Sequence, residues 1–173
     1  NTVSGEVFLY NMSSRTWRFK SQTYGPTARF GHSACFDPVG RKMWVYGGVG
    51  SDAIADNQVW SFDAESLQWT QSSRNGPHAQ SGHTAVWDTQ KSRMYIFGPA
   101  LNHAWYYDSQ ADRWVKASPG INAATPIKRK DHTAVWDPVL SKMWLYGGRS
   151  TVGAGETFGD FWVLLTEGDN FRW

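Results

Sequence analysis

The sequence holds a single cysteine, Cys35, among 173 residues. One thiol can form neither an internal disulfide nor a cysteine-based zinc site. It suits a reducing compartment, so the expectation is an intracellular, cytoplasmic chain. Charge is also scarce, at 18% of residues against about 25% in an average globular chain. The net charge of +2 gives no reason by itself to expect nucleic acid or an anionic membrane as partner. No apolar run approaches the length that crosses a bilayer, so membrane insertion is not expected. No basic segment leads into an apolar one, as a signal peptide would require. The chain opens Asn1-Thr2-Val3 without Met, which suggests a processed chain or a piece of a longer one. No stretch sustains apolar residues at i, i+3, i+4 and i+7, so almost no helix is expected. The Gly-x-Ser-x-Gly, phosphate-loop and His-Glu-x-x-His patterns are all missing.

Aromatic residues and glycine are abundant: Trp 11, Tyr 7, Phe 9 and Gly 17, with 40% of the chain hydrophobic. That composition excludes intrinsic disorder and supplies a core. The chain also repeats itself. Gly31-His32-Ser33-Ala34-Cys35-Phe36-Asp37 recurs as Gly82-His83-Thr84-Ala85-Val86-Trp87-Asp88 and as Asp131-His132-Thr133-Ala134-Val135-Trp136-Asp137. The three histidines lie 51 and 49 residues apart, a propeller-blade period. The segments Gly31 to Gly48, Gly82 to Pro99 and Asp131 to Gly148 are each 18 residues long and end on Gly47-Gly48, Gly98-Pro99 and Gly147-Gly148. Nine residues separate Phe8 from Trp17, Trp60 from Trp69 and Trp105 from Trp114. In the first full repeat, strands are expected over 33–36, 42–46, 58–62 and 68–71, with turn chemistry at Asp37-Pro38-Val39-Gly40.

The Gly-His-Ser/Thr opening, the apolar strand ending in a glycine pair and the tryptophan at fixed distance resemble the kelch repeat, from about Val7 to Trp173. The resemblance implies an all-β kelch-type β-propeller with one four-stranded antiparallel blade per repeat. Residues 5–24 supply half a blade, and full blades follow over about 31–72, 82–117 and 132–173. Three and a half blades do not close a ring, so the expectation is part of a six- or seven-bladed propeller, or two copies completing one another, or a different protein covering the open faces. Pro99 and Asp131 depart from the repeat and put the geometry of their loops in question.

A histidine recurring once per repeat could be read as a metal ligand. Recurrence at one place argues instead that His32, His83 and His132 hydrogen-bond within or between blades, and no metal or other cofactor is expected. Trp17, Trp69 and Trp114 could form a stacking platform, but their even spacing argues for packing between blades. Cys35 stands where the sister repeats have Val86 and Val135, as a small apolar residue would, which leaves little room for a redox role. Asp52 and Asp56 are followed by Trp60 at the spacing where an iron-binding kelch pattern needs histidine. Asn11-Met12-Ser13 fits a glycosylation acceptor, a short pattern that arises often by chance.

Function should lie where the repeats differ. By resemblance, the loops over 20–30, 72–81 and 117–130 and those over 49–57, 100–103 and 149–159 open on one face. Arg29, Phe30, Gln80, Ser81, Asn102, His103, Lys128, Arg129, Lys130, Arg149 and Ser150 are expected to ring that mouth. Lys128-Arg129-Lys130 with Arg149 forms the chain's only concentration of charge and suits an acidic peptide or carboxylate. The leading expectation is a non-enzymatic protein-interaction module or scaffold. The alternatives are a structural subunit held in a larger assembly by its open blade edges, and, less favoured, a kelch-fold oxidase or sugar epimerase. Only His78 and His103 are left for such chemistry, so no catalytic residue is assigned.

Overall fold

A computed structural model describes residues 4–20, 24–118, 123–167 and 170–173. All its regular elements are β-strands, and no helix occurs among the described residues. The hairpin β1 (Val7–Asn11) and β2 (Thr16–Lys20) comes first. The first full blade is β3 (Ser33–Asp37), β4 (Lys42–Tyr46), β5 (Val59–Asp63) and β6 (Trp69–Gln71). The second is β7 (Thr84–Asp88), β8 (Arg93–Phe97), β9 (Ala104–Asp108) and β10 (Arg113–Ala117). A two-residue strand, β11 (Arg129–Lys130), precedes the third blade. That blade begins with β12 (Thr133–Asp137) and β13 (Lys142–Tyr146). The short β14 (Arg149–Ser150) then pairs with β11, before β15 (Phe161–Glu167) and β16 (Asn170–Arg172) complete the sheet. Each blade is a four-stranded antiparallel meander in chain order. The chain therefore folds as kelch-type blades, as the repeat suggests. The β11–β14 ribbon is the addition that the repeat did not show.

One turn device reverses the chain in six hairpins. Asn11, Asp37, Asp63, Asp88, Asp108 and Asp137 each accept backbone N–H bonds from the residues two and three further on. The fourth residue after each (Arg15, Arg41, Leu67, Ser92, Asp112, Ser141) then takes a left-handed φ of 46° to 56°. In the first blade that residue is Arg41 and not Gly40. The side-chain cap fixes the turn without needing a glycine at that place. Asn11 corresponds to Asp63 and Asp108, so β1–β2 matches the outer strand pair of a blade, β5–β6 or β9–β10.

The first strands of successive blades lie side by side, β3 against β7 and β7 against β12. The repeat histidines bridge these seams. His83 Nε2 is 2.6 Å from Ser33 Oγ, and His132 Nε2 is 2.7 Å from Thr84 Oγ1. His32 has the same place in the first blade and is exposed. Two apolar cores fill the spaces between sheets. One gathers Trp44, Tyr46, Val59, Trp87, Met94 and Ile96 between the first and second blades. The other gathers Val86, Tyr95, Phe97, Met143, Leu145 and Leu164 between the second and third. Each has a parallel aromatic stack at the same seat: Trp44 on Trp87 at 5.8 Å and Tyr95 on Trp136 at 5.3 Å. Cys35 packs against the first core, and burial pushes its thiol far up, with the Asp37 charge adding to the effect. That is the behaviour of a small apolar residue.

The outermost faces carry the same kinds of residue. Phe8 packs on Phe19 at 5.5 Å and Tyr10 on Trp17 at 5.0 Å, and all four are exposed. Trp17 thus packs within its own hairpin but covers no neighbouring blade. On the other side, Val135, Tyr146 and Phe161 of the third blade are exposed.

Candidate interaction face

Arg129 and Lys130 form the strand β11 and Phe30 bridges to Val49, so side chains at these positions alternate in and out. Arg29, Gln80 and Arg129 occupy one register position, three before the histidine, and all three turn inward, at 8%, 3% and 0% exposure. The next residues, Phe30, Ser81 and Lys130, point the other way. The residue after those is Gly31, Gly82 or Asp131, and each is left-handed, with φ of 64°, 73° and 59°. Asp131 therefore keeps the conformation of the glycines it replaces. Its carboxylate is held by Arg149 Nε at 2.7 Å, and Asp is among the side chains that tolerate this region best.

Burial decides the role of the two arginines. Arg29 donates from Nη1 to Gly47 O at 2.9 Å and from Nε to Thr27 O at 3.0 Å, and pairs with Asp56 at 2.8 Å. Arg129 repeats the arrangement on Gly147 O and Ile127 O, both at 3.0 Å, with a two-pronged pair to Asp160 at 2.5 and 2.9 Å. Its guanidinium also lies 4.2 Å from the centre of the Phe158 ring. The Arg129 bonds are the largest influence holding the Asp160 carboxyl at about 2. Both arginines are thus internal braces of their own blades, and the expectation that they face a partner is corrected. Gln80 is buried at the same position, and neither of its amide atoms has a hydrogen-bond partner among the described residues. Ser150 is likewise turned in, with its hydroxyl donating to Val152 O at 2.8 Å.

The remaining expected rim residues reach solvent. Arg149 and Asn102 are exposed, and Ser81, His103, Lys128 and Lys130 are half-buried. Burial, then the Lys116 charge, lowers the pKa of His103, which keeps it neutral at neutral pH. Lys130 and Arg149 face each other across the β11–β14 ribbon. In the first blade the equivalent pair is Phe30 and Val49, joined by two backbone bonds of 3.0 and 2.9 Å. The second blade differs because of Pro99. Its counterpart Gly48 donates its N–H to Gln80 O in the next blade at 2.8 Å. Proline has no N–H and cannot make that bond to the third blade. Residues 21–23 and 119–122, parts of two expected rim loops, lie outside the described residues.

Sequence reasoning missed Asp56 and Asp160, the acids that hold the inward arginines. The shared register of Arg29 and Arg129 was the signal that could have found them. Among the described residues no group of three or more His, Cys, Asp or Glu is placed to hold a metal ion.

Blades of this topology, joined by histidine at each seam, match a known family model. The match is to the KLHDC2/KLHL20/DRC7 Kelch-repeats domain and covers residues 1–173. The chain belongs to the kelch-repeat family. Among its relatives are human multiple epidermal growth factor-like domains protein 8, 32% identical over 60% of this chain, and mouse Kelch-like protein 35, 28% identical over 65%. A zebrafish Rab9 effector protein with kelch motifs is 34% identical over 48%. The matched stretches make up 4%, 18% and 24% of the lengths of these three relatives. Kelch-repeat domains generally serve as protein-interaction modules without enzymatic activity of their own.

Proposed function

We propose that this chain is a non-enzymatic interaction module whose protein partner docks on the loop-bearing mouth and meets it with acidic groups. The observation that carries this reading is the excess of cations on the third blade's rim. Lys128, Lys130 and Arg149 stand there against the exposed carboxylates of Asp131 and Glu156, with Arg129 and Asp160 neutralising each other beneath them. Exposed charges of one sign steer association with a partner of the other sign. One relative is named as an effector, which agrees with a binding role. The test places a photo-crosslinking side chain at Lys130 or at Tyr146 of the intact protein. Crosslinks from position 130 that fade in a Lys128→Glu/Arg149→Glu background are the expected result. Crosslinks from position 146 alone would transfer the function to the blade edge.

That second reading, a structural subunit joined through open edges, rests on the exposed aromatic faces. The seam chemistry repeated inside the molecule is available again at Thr133, Tyr146 and Phe161. Two copies joined end to end fit it poorly, since each would bring an outer strand pair, β1–β2, and neither would bring the matching inner pair. A blade-like hairpin from elsewhere fits better.

A further inference from the structure

We infer that Asn11 carries an N-linked glycan on the face opposite the mouth, so that the chain passes through a secretory lumen. Of the six capped turns, five are capped by aspartate: Asp37, Asp63, Asp88, Asp108 and Asp137. The β1–β2 turn differs in being capped by asparagine. The cap needs one side-chain oxygen, and Asn11 supplies Oδ1, which accepts the N–H groups of Ser13 and Ser14, each at 2.9 Å. Aspartate would serve equally well. What asparagine adds is Nδ2, and it donates to no group among the described residues. Two residues on stands Ser13, where the other turns have Val39, Glu65, Gln90, Gln110 and Val139. Its hydroxyl is also unengaged among the described residues, while that of Ser14 bonds to Thr16 at 2.8 Å. The two residues that depart from the turn pattern are thus the two that an Asn-x-Ser acceptor requires. No other asparagine in the chain begins such a triplet.

The place suits a bulky, solubilising modification. Asn11, Met12, Ser13 and Ser14 are all exposed. That exposure does not come from the open side of the hairpin, because the same turn projects in complete blades. Ala64, Glu65 and Ser66 are exposed in the first, and Gln110 and Ala111 in the second. These turns close the strand ends farthest from the repeat histidines and glycine pairs, so a glycan there leaves the mouth clear. In the transfer, Asn11 Nδ2 attacks the anomeric carbon of a lipid-pyrophosphate-linked oligosaccharide. A bond forms between Nδ2 and that carbon, the bond from the carbon to the pyrophosphate oxygen breaks, one amide proton is lost and the lipid pyrophosphate leaves. Nothing is oxidised or reduced. Oδ1 keeps its two backbone partners, so the turn survives the change. An aspartate at this place has no nitrogen to give. The lone cysteine is compatible with an oxidising lumen, since Cys35 packs against the first core and burial, which pushes its thiol far up, leaves little thiolate to oxidise.

The experiment takes the intact protein from its own source and reads the peptide bearing Asn11 by mass spectrometry, before and after a peptide-N-glycosidase in heavy-oxygen water. The expected result is a peptide carrying the mass of N-acetylhexosamine and hexose, which the enzyme strips while converting Asn11 into a heavy-oxygen-labelled aspartate. Asn11 unmodified throughout overturns the inference. So does aspartate at position 11 before treatment, which is deamidation. Two variants made in the same cells separate the acceptor from the turn. Ser13→Ala should lose the glycan completely, with the melting midpoint of the enzyme-treated protein unchanged, because the N–H of residue 13 still donates to Asn11 Oδ1. Ser13→Thr should keep the glycan. A glycan that survives Ser13→Ala, or is lost in Ser13→Thr, overturns the assignment. The crosslinks from positions 130 and 146 are read far from this turn, so the docking reading stands or falls separately.

Discussion

At the scale of the residue, Arg129 shows what the fold does with its charges. A guanidinium at 0% exposure is held there by two carbonyls, a carboxylate and an aromatic face. Removing it would leave Asp160 and the Gly147 carbonyl short of a donor. Arg129→Gln, the residue that the second blade carries at this register, should therefore cost about 2 kcal/mol, the worth of hydrogen bonds to a charged group. In a chain of this size that lowers the melting midpoint by roughly 4–8 °C. Lys130→Gln, one residue away and facing out, should change it by less than about 2 °C, since isolated surface substitutions do little. Calorimetry on the two variants checks the in-out assignment. Equal melting points would mean that Arg129 is not the brace its bonds describe. The same pair explains what the sequence could not convey. Lys128-Arg129-Lys130 reads as one basic run, and composition gives no sign that the middle charge is turned inward. Only the register shared with Arg29, together with strand alternation, separates them. Gln80 breaks the arginine series in the repeat between, which is why that register was easy to overlook.

At the scale of the element, the repeat made the strands legible. Regular histidine spacing, constant 18-residue segments and an Asp or Asn at each of the six capped turns correspond to strands that start and stop within a residue or two of expectation. The fastening between blades was less legible, since it depends on side chains from different repeats. After β6, the Ser72 and Ser73 hydroxyls reach across to Asp112 in the β9–β10 turn, where the Tyr107 hydroxyl also donates at 2.6 Å. These three hydroxyls, Ser72 first, hold the Asp112 carboxyl at about 2. Ser73 recurs as Ser21 and Ser118, four residues after Trp17 and Trp114, but Ser72 gives way to Lys20 and Ala117, so the periodic pattern did not point to the clasp. Asp112→Asn keeps a side chain that accepts the left-handed φ of 46° and removes the charged acceptor. Because the carboxylate is partly exposed, the expected loss is modest, about 1 kcal/mol. The urea midpoint should move accordingly, and Tyr107→Phe should move it in the same direction. A double variant with a loss smaller than the two single losses combined would show that they share one clasp. Full additivity would separate them.

At the scale of the whole molecule, the seams make the blades cohere, and they should come apart in acid for a specific reason. Burial holds His83 at about 3, helped by the charges of His132 and His32. Burial, then Arg129, holds His132 at about 4. Both are neutral in the folded chain at neutral pH and hydrogen-bonded to the neighbouring blade through Nε2. An unfolded histidine takes a proton near pH 6.5. Between about pH 6.5 and 4, then, the unfolded chain binds more protons than the folded one, and stability falls as pH falls. The contribution is fully present above pH 6.5 and is lost on the way down to the folded values. Each histidine can remove up to about 1.4 kcal/mol per pH unit in that window. Asp112 and Asp160, held at about 2, act only below their ordinary value near 3.8, so the two causes occupy different pH ranges. Denaturant midpoints measured from pH 7.5 to 4.5 should decline steadily in the native protein. They should be flatter in a His83→Gln/His132→Gln variant, whose amides can still bridge to Ser33 and Thr84 but cannot titrate. An equally steep decline in that variant would locate the acid sensitivity elsewhere, with His103, whose pKa is lowered in the same direction, as the next position to replace. A flat profile in the native protein would mean that the seams open without protonating their histidines, and that the blades are held by their aromatic stacks alone.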